Sequence, residues 1–358
     1  MAILRLIWRR HRWLWLVAAL LMVLYGGSVV DQAHKTHTAM QKEMMTPVRF
    51  DRELKKPKDE RSTDARTYTE YRDDTLMLYH EQLNVVDDTA MLPTTYGIQP
   101  LRVDFFYLGG IFLLGVVVAA WDHYSRFDRF LMAAGLTRRR TYWTRAGLFF
   151  GLVVLGTVLV DTGIVGGLYA LLPAHDVNLS LQQAFGLTLY NTTLAALCFA
   201  VGQLYGLLCG RLWLLAALVP LTLASANQTL QNLGVLFGQT FVKANVSWPR
   251  VDNPLWAYWP FVIGFVLVTG ICLGLAAWGF THLSLEHDGT ALMVPALRPL
   301  VIGIGMVVAF ALFMGTDDHG HFVWQSSLFA PLLTLALGVL WAQWSRLTAA
   351  IARRRAAA

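Results

Sequence analysis

Residues 146–172 read AGLFFGLVVLGTVLVDTGIVGGLYALL, an apolar run that contains a single charged residue, Asp161. A helix needs about 20 apolar residues to cross the roughly 30 Å hydrocarbon core of a bilayer, so this run is long enough to span one. Seven uncharged runs elsewhere have the same character: Trp13–Val30, Phe105–Trp121, Ala184–Gly210, Leu212–Ser225, Leu255–Thr281, Pro299–Thr316 and Phe322–Trp344. We therefore predict an all-α fold, a polytopic bundle of about eight transmembrane helices.

The composition excludes a water-soluble globular protein. Hydrophobic residues make up 56% of the 358 residues and charged residues only 15%, whereas a soluble domain carries about 25% charge. The net charge of +6 comes from basic residues beside the apolar runs, which is typical of a membrane protein and predicts no nucleic-acid partner. The three cysteines form no CxxC pair and the cluster Asp317–His321 reads as a polar turn, so we predict no metal site.

The orientation follows from the short loops, because Lys and Arg accumulate on the cytoplasmic side. The loops on one side, together with both termini, contain 16 Lys and Arg residues, whereas the short loops on the other side contain only Lys243 and Arg250. We therefore expect a multi-pass protein of a cell (plasma) membrane, of bacterial type, with both termini in the cytoplasm.

The same patterning divides the chain into four regions. Residues 1–30 are predicted to form an interfacial helix and span one. Residues 31–104, with 11 basic and 14 acidic residues, are predicted to form a small, mostly helical extracytoplasmic domain, with one helical stripe over residues 76–86. Residues 105–283 hold core spans two to six, and residues 284–358 hold two additional spans and a basic cytoplasmic tail.

The cytoplasmic segment 122–145 is the first candidate for a functional site. Residues 126–134 are predicted to form a short helix, Gly135 suits its stop, and Thr137 can cap a second helix that continues into span three. The short helix has one apolar face, formed by Phe127, Phe130, Leu131 and Ala134. Such a helix–turn–helix is suited to transmit a push from a soluble partner to two spans. The alternative is a basic loop that only anchors them.

At this segment the chain resembles the permease subunits of the ABC-2 class of ATP-binding-cassette exporters. Leu131–Arg140 reads LMAAGLTRRR, which is similar to the family's small-residue turn of the kind Leu-Pro-x-Ser/Thr-Arg, and Asp128 stands where the family has a Glu. The basic start Ile3–Arg10 resembles the family's interfacial helix, and residues 226–256 resemble its outer re-entrant hairpin. The resemblance covers about residues 1–283.

The resemblance implies a transmembrane permease subunit that couples ATP hydrolysis by a separate subunit to movement of an amphipathic cargo, such as a lipid, peptide or antibiotic. A second permease copy, or a homologous permease, would complete the conduit. The chain has no GxxxxGKS/T phosphate loop, so the partner would bind ATP, and this chain would have no cofactor and no catalytic residues. The residues implied to couple to the ATPase are Arg126, Asp128, Arg129, Arg138, Arg139 and Arg140.

Asp161 is the sharpest candidate inside a predicted span. A charge at the middle of a span costs on the order of 3 kcal/mol, so the carboxyl should face the bundle interior. A cargo or proton contact there would favour an ion- or proton-coupled secondary transporter. The other interpretation is a hydrogen bond to Asn191 or Gln203 of span four, and a shifted span would place Asp161 near the outer end. A membrane sensor or accessory protein is a further alternative.

Overall fold

The computed structural model of the chain describes residues 2–57, 65–78, 101, 104–125, 127–209, 215–216, 218–223, 225, 255, 258–282, 297–313, 315–316, 322–323, 328–340 and 343. Apart from one short strand pair, the secondary structure of this part is helical. A π-helical turn, Met40–Met44, follows the first helix. The helices are, in chain order, α1 (Ala2–Ala39), α2 (Pro47–Leu54), α3 (Tyr68–Leu76), α4 (Phe105–Tyr124), α5 (Phe127–Ala133), α6 (Arg138–Leu171), α7 (Ala174–Val177), α8 (Leu181–Leu208), α9 (Trp259–Thr281), α10 (Arg298–Leu312) and α11 (Leu328–Leu340).

Five of the described helices, α1, α4, α6, α8 and α9, are long and apolar enough to cross a membrane. They correspond to predicted spans one, two, three, four and six. The described residues between 215 and 225 are helical, and α10 and α11 contain shorter apolar stretches, so eight spans remain a prediction. The hairpin predicted at residues 226–256 lies outside the described residues except for residue 255.

α1 is one uninterrupted helix where the sequence predicts an interfacial helix and a separate span. Its 38 residues extend about 57 Å at 1.5 Å per residue, well beyond the thickness of a hydrocarbon core. No proline lies within it, and Gly26 packs against Val160 of α6, so nothing favours a break. The helix continues to Ala39, beyond the predicted boundary between residues 30 and 31.

A histidine–aspartate contact holds the last turns of α1. His37 Nε2 lies 2.9 Å from Asp176 Oδ2, and both side chains are buried. The main-chain N–H of Leu78 donates to the carbonyl oxygen of Asp176 at 2.7 Å, and Lys35 Nζ donates to Asp31 Oδ2 at 2.6 Å. The contacts of His37 and Lys35 stabilise the polar last turns of α1, so the helix extends beyond its apolar run.

α1 packs along α6, the other long helix of the bundle. The buried residues of α1, including Ile7, Met22 and Ala33, recur at spacings that place them on one helical face. α6 contributes large apolar side chains to the core: Phe149, Leu152, Val153, Val160, Ile164 and Leu168. This helix pair is the framework on which the functional residues are placed.

Two glycines let α4 and α8 approach closely. A Cβ atom added to Gly115 would overlap the carbonyl oxygen of Phe199, and one added to Gly202 would overlap that of Phe112. Small residues commonly allow such backbone contact between helices in a membrane. Gln203 Nε2 donates to the carbonyl oxygen of Gly115 at 3.0 Å across this contact. α4 and α8 therefore have little room to rotate against each other at this level.

The described part of the polar stretch after α1 contains two short helices, α2 and α3. α2 and α3 belong to a small apolar cluster formed by Met45, Phe50, Ala65, Tyr71 and Leu76. α3 begins with a capping box between Thr67 and Glu70, and main-chain hydrogen bonds from Arg66 and Thr67 lower the pKa of the Glu70 carboxyl. α3 ends at Leu76, and residues 79–86 of the predicted stripe lie outside the described residues.

The chain divides into two compact units: residues 1–204 with 249–277, and residues 205–248 with 278–358. The first unit contains α1 to α7, most of α8 and the first part of α9. In the second unit α10 and α11 pack closely, since a Cβ atom on Gly338 would lie 2.8 Å from the Ile302 side chain. The two helices of this unit therefore form a tight pair.

The all-α class of the fold is confirmed, with one short strand pair between α10 and α11. β1 (Gly315–Thr316) pairs with β2 (Phe322–Val323) in a short antiparallel ladder. α10 ends at Leu312 and α11 begins at Leu328, so the last two predicted runs are not helical over their facing ends. The ladder gives main-chain N–H and C=O groups partners where the chain turns back.

Candidate functional site

A helix–turn–helix joins α4 to the long helix α6. The short helix α5 ends in a Schellman motif, in which the Gly135 N–H donates to Met132 O at 3.0 Å and the Leu136 N–H donates to Leu131 O at 3.2 Å. Gly135 has a φ of 79°, a conformation that glycine adopts without steric cost. α6 then begins at Arg138. Helix, stop and second helix thus occur where the sequence predicts them.

The cap and the apolar face of this element differ from the prediction. Thr137 occupies the N-cap position of α6 with an extended backbone, but its side chain makes no capping hydrogen bond. Leu131 is buried whereas Phe130 is exposed, so the two do not share one buried face. The ring of Phe130 instead stacks on that of Phe127, with 6.0 Å between centroids. α5 thus keeps aromatic surface available for contact.

A buried carboxylate at the end of α4 binds three basic side chains. Asp122 is only 1% exposed. Arg10 Nε donates to its Oδ1 at 2.8 Å, His11 Nε2 lies 2.8 Å from Oδ2, and Arg145 Nη1 donates to Oδ2 at 3.1 Å. We call these four residues the Asp122 cluster. It connects α1, α4 and α6 at one point.

Arg10 extends the Asp122 cluster to the start of α5. Its Nη2 donates to Ser125 Oγ, and its guanidinium lies 4.2 Å from the centroid of the Phe127 ring, a distance at which a cation is attracted to an aromatic face. The cluster therefore links the short helix α5 to α1 as well as to the two spans that flank it.

The electrostatics of the Asp122 cluster make its carboxylate indispensable. Arg145 is 1% exposed, so its cationic charge is removed from water. His11 is 2% exposed. A buried charge is stabilised only by a close partner of opposite sign with good hydrogen-bond geometry. Asp122 supplies that partner to both Arg145 and the half-exposed Arg10.

The sequence does not predict the Asp122 cluster. Asp122 directly follows one apolar run and Arg145 directly precedes the next, so both are predicted only as the ends of a cytoplasmic segment. The sequence indicates only that Asp122 and Arg145, which have opposite charges, stand at the two ends of segment 122–145 and therefore at the same membrane face. That signal predicts neither Arg10 nor His11.

Five of the six predicted coupling residues lie along this helix–turn–helix. Arg126 lies outside the described residues, and Asp128 and Arg129 belong to α5. Arg138, Arg139 and Arg140 form the first turn of α6. The last two are exposed, and neither makes an ion pair within the described ranges. They are therefore accessible to a partner.

Asp161 is buried and hydrogen-bonded to Asn191. Asn191 Nδ2 donates to Asp161 Oδ2 at 3.0 Å and to the carbonyl oxygen of Leu101 at 2.8 Å. One helical turn away, the hydroxyls of Thr157 and Tyr107 lie 2.9 Å apart. Asn191 is one of the two partners that the sequence offered for Asp161.

The predicted intramembrane polar residues lie at two levels. Tyr107 lies in the first turn of α4, so Asp161, one turn beyond Thr157, is level with the amino-terminal end of α4, a position that the sequence left open. Gln203 lies on another part of α8 and donates to the carbonyl oxygen of Gly115 on α4. Its Oε1 has no hydrogen-bond partner among the described residues. Asp161 and Gln203 therefore do not form one polar site.

Within the described residues, no group of three or more His, Cys, Asp or Glu side chains is arranged to hold a metal ion. The cluster Asp317–His321 lies outside them. Comparison with known proteins gives no match to a family model, to a curated protein or to a solved structure. The geometry of the helix–turn–helix and of the Asp122 cluster is therefore the basis for assigning a function.

Proposed function

We propose that this chain is the membrane subunit of an ATP-driven exporter of the ABC-2 class, and that its ATPase is a separate chain. The observation that supports the proposal is the Asp122 cluster beside α5. A loop that merely connected two spans would not need a buried carboxylate with three basic partners from two other helices. A segment that transmits force between helices would need such a fixed contact.

The proposed mechanism uses α5 as the docking helix for the ATPase. A displacement of α5 would reach α1 through Arg10, and it would reach α4 and α6 through the two ends of the helix–turn–helix. The long helices α1 and α6 would carry the movement across the bilayer, since they pack against each other along their length. Hydrolysis of ATP by the partner would in this way move the spans.

The remaining parts of the proposal follow from the sequence. The positive-inside bias favours a cytoplasmic position for α5, where ATP is available, and both termini would lie on the same side of a bacterial cell membrane. A second permease copy or a homologous permease would complete the conduit. The cargo would be amphipathic, such as a lipid, a hydrophobic peptide or an antibiotic.

The double variant Arg139→Gln/Arg140→Gln tests ATPase docking. Both side chains are exposed at the start of α6, so their loss should leave the fold intact but remove two charges that steer and hold an acidic partner. We expect about tenfold less ATPase to co-purify with the variant than with the wild-type chain when both subunits are expressed together.

The matched control for ATPase docking is Arg49→Gln/Arg52→Gln, which removes two exposed charges from α2. This control should retain the wild-type amount of ATPase. Equal co-purification by both double variants, or a wild-type chain that brings down no ATP-hydrolysing subunit, would contradict the proposal.

The alternative function, an ion- or proton-coupled carrier, depends on Asp161. We favour the exporter over this carrier because Asn191 already donates a hydrogen bond to the Asp161 carboxylate and because Asp161 lies level with the amino-terminal end of α4. No contact among the described residues favours the third candidate, a membrane sensor or accessory protein.

Asp161→Asn separates the exporter from the carrier. An asparagine keeps the size of the side chain and an oxygen that accepts from Asn191, so ATP-driven export of a fluorescent amphipathic probe from membrane vesicles should stay within about twofold of wild type. In a proton-coupled carrier the same change would abolish transport, and transport would persist without ATP. Loss of export in Asp161→Asn with normal ATPase binding would favour the carrier.

A further inference from the structure

α1 carries a stripe of arginines that the proposed function does not use. Arg5, Arg9 and Arg12 are separated by four and three residues, which places them on one face of the helix. All three are exposed. The opposite face carries Ile7 and His11, which are buried in the bundle. The stripe therefore points away from the rest of the protein.

No acidic side chain within the described part of the chain pairs with these arginines. Residues 1–30 contain no Asp or Glu, and Arg5, Arg9 and Arg12 form no ion pair within the described part of the chain. Arg10, in contrast, is bound to Asp122. Three exposed guanidinium groups thus share one face over two helical turns.

The same face continues as a lipid-facing surface. Leu16, Leu20 and Val23 are exposed at 47%, 57% and 68%, and Trp13 between them and the arginines is exposed at 67%. Tryptophan prefers the boundary between the acyl chains and water. The arginine stripe therefore begins where the apolar surface ends, at the depth of the lipid headgroups.

We infer that the arginine stripe of α1 (Arg5, Arg9 and Arg12) binds the headgroup phosphates of anionic phospholipids in the adjacent leaflet. A guanidinium presents a planar fork of N–H donors that matches a phosphate, and the continuity with exposed apolar side chains lets one lipid fill both surfaces. This inference depends on the membrane location of α1 and not on the proposed exporter function.

The test is equilibrium binding of fluorescent phosphatidylglycerol and phosphatidylcholine to the purified full-length chain in a neutral detergent. A basic residue near an anionic lipid surface contributes about a fivefold gain in affinity, so three arginines should give phosphatidylglycerol a preference on the order of 100-fold. Arg5→Gln/Arg9→Gln/Arg12→Gln should lose that preference. The matched control Arg49→Gln/Arg52→Gln/Lys55→Gln, which neutralises three exposed charges near α2, should retain it.

Four outcomes would overturn the inference. Phosphatidylglycerol and phosphatidylcholine could bind equally to the wild-type chain, or the triple variant could bind phosphatidylglycerol as the wild type does. Displacement of the labelled lipid by millimolar inorganic phosphate would show a phosphate site and not a lipid site. A triple variant with unchanged lipid binding that no longer retains the ATPase would identify the stripe as a protein interface. A wild-type elution volume in size-exclusion chromatography confirms that the variant is folded.

Discussion

Replacement of Asp122 by asparagine should lower the free energy of unfolding by about 3–5 kcal/mol. The substitution keeps the shape of the side chain but removes the carboxylate that Arg145 Nη1 contacts at 3.1 Å. Arg145 is 1% exposed, so water cannot replace that partner without opening the contact between α1, α4 and α6. The unfolding equilibrium in detergent, followed by intrinsic tryptophan fluorescence, measures the loss.

Two further variants show whether the loss comes from the buried charge. Asp73→Asn removes a carboxylate that pairs with the partly exposed Arg72 at 2.9 Å, and an exposed pair contributes about 1 kcal/mol or less. Adding Arg145→Met to Asp122→Asn removes the buried cation as well and should recover part of the stability. Equal losses in Asp122→Asn and Asp73→Asn, or no recovery in the double variant, would show that Asp122 is not the electrostatic centre described above.

The same substitution bears on coupling. Arg10 would keep its contacts with Ser125 and Phe127, so α5 would remain attached to α1. The carboxylate that connects Arg10 with Arg145 of α6 would be lost. If the exporter proposal is correct, the variant should still bind its ATPase but should export less per ATP hydrolysed. That pattern differs from the docking variants of α6, which lose the ATPase itself.

The parts of the fold that the sequence predicts well depend on local signals. The apolar runs identify the five long helices, because a span must be apolar over about 20 residues whatever it packs against. Gly135 and the arginines after it identify the stop of α5 and the start of α6, because a helix end is determined by the residues at that end. These elements are found without knowledge of any distant contact.

The parts that the sequence does not predict depend on contacts between distant residues. Arg10 and His11 lie 112 and 111 residues from Asp122 along the chain, and no local pattern relates them. His37 lies 139 residues from Asp176, and this contact accompanies the extension of α1 beyond the predicted boundary. For Asp161, the sequence offers polar residues of span four such as Asn191 and Gln203 as partners, and only the depth of each residue in the bundle distinguishes Asn191 from Gln203.

Substitution of Gly202 by leucine should be the second most damaging change, with a loss of about 3 kcal/mol, at the upper end of the range for overpacking. Any Cβ at this position overlaps the carbonyl oxygen of Phe112, and a backbone atom cannot move aside as the end of a side chain can. α4 and α8 would have to separate, which would also break the hydrogen bond from Gln203 to Gly115. The same unfolding equilibrium measures the effect.

Gly110→Leu is the matched control, because a Cβ atom on Gly110 meets nothing within 4 Å and leucine has a higher helix propensity than glycine. This variant should be as stable as the wild type or slightly more stable, although it adds the same side chain to α4, one of the two helices in contact. If Gly202→Leu and Gly110→Leu behave alike, the contact between α4 and α8 is loose. The force-transmitting segment would then lack a fixed point, because α4, which carries Asp122, must be held by α8 for a push on α5 to move α1 and α6.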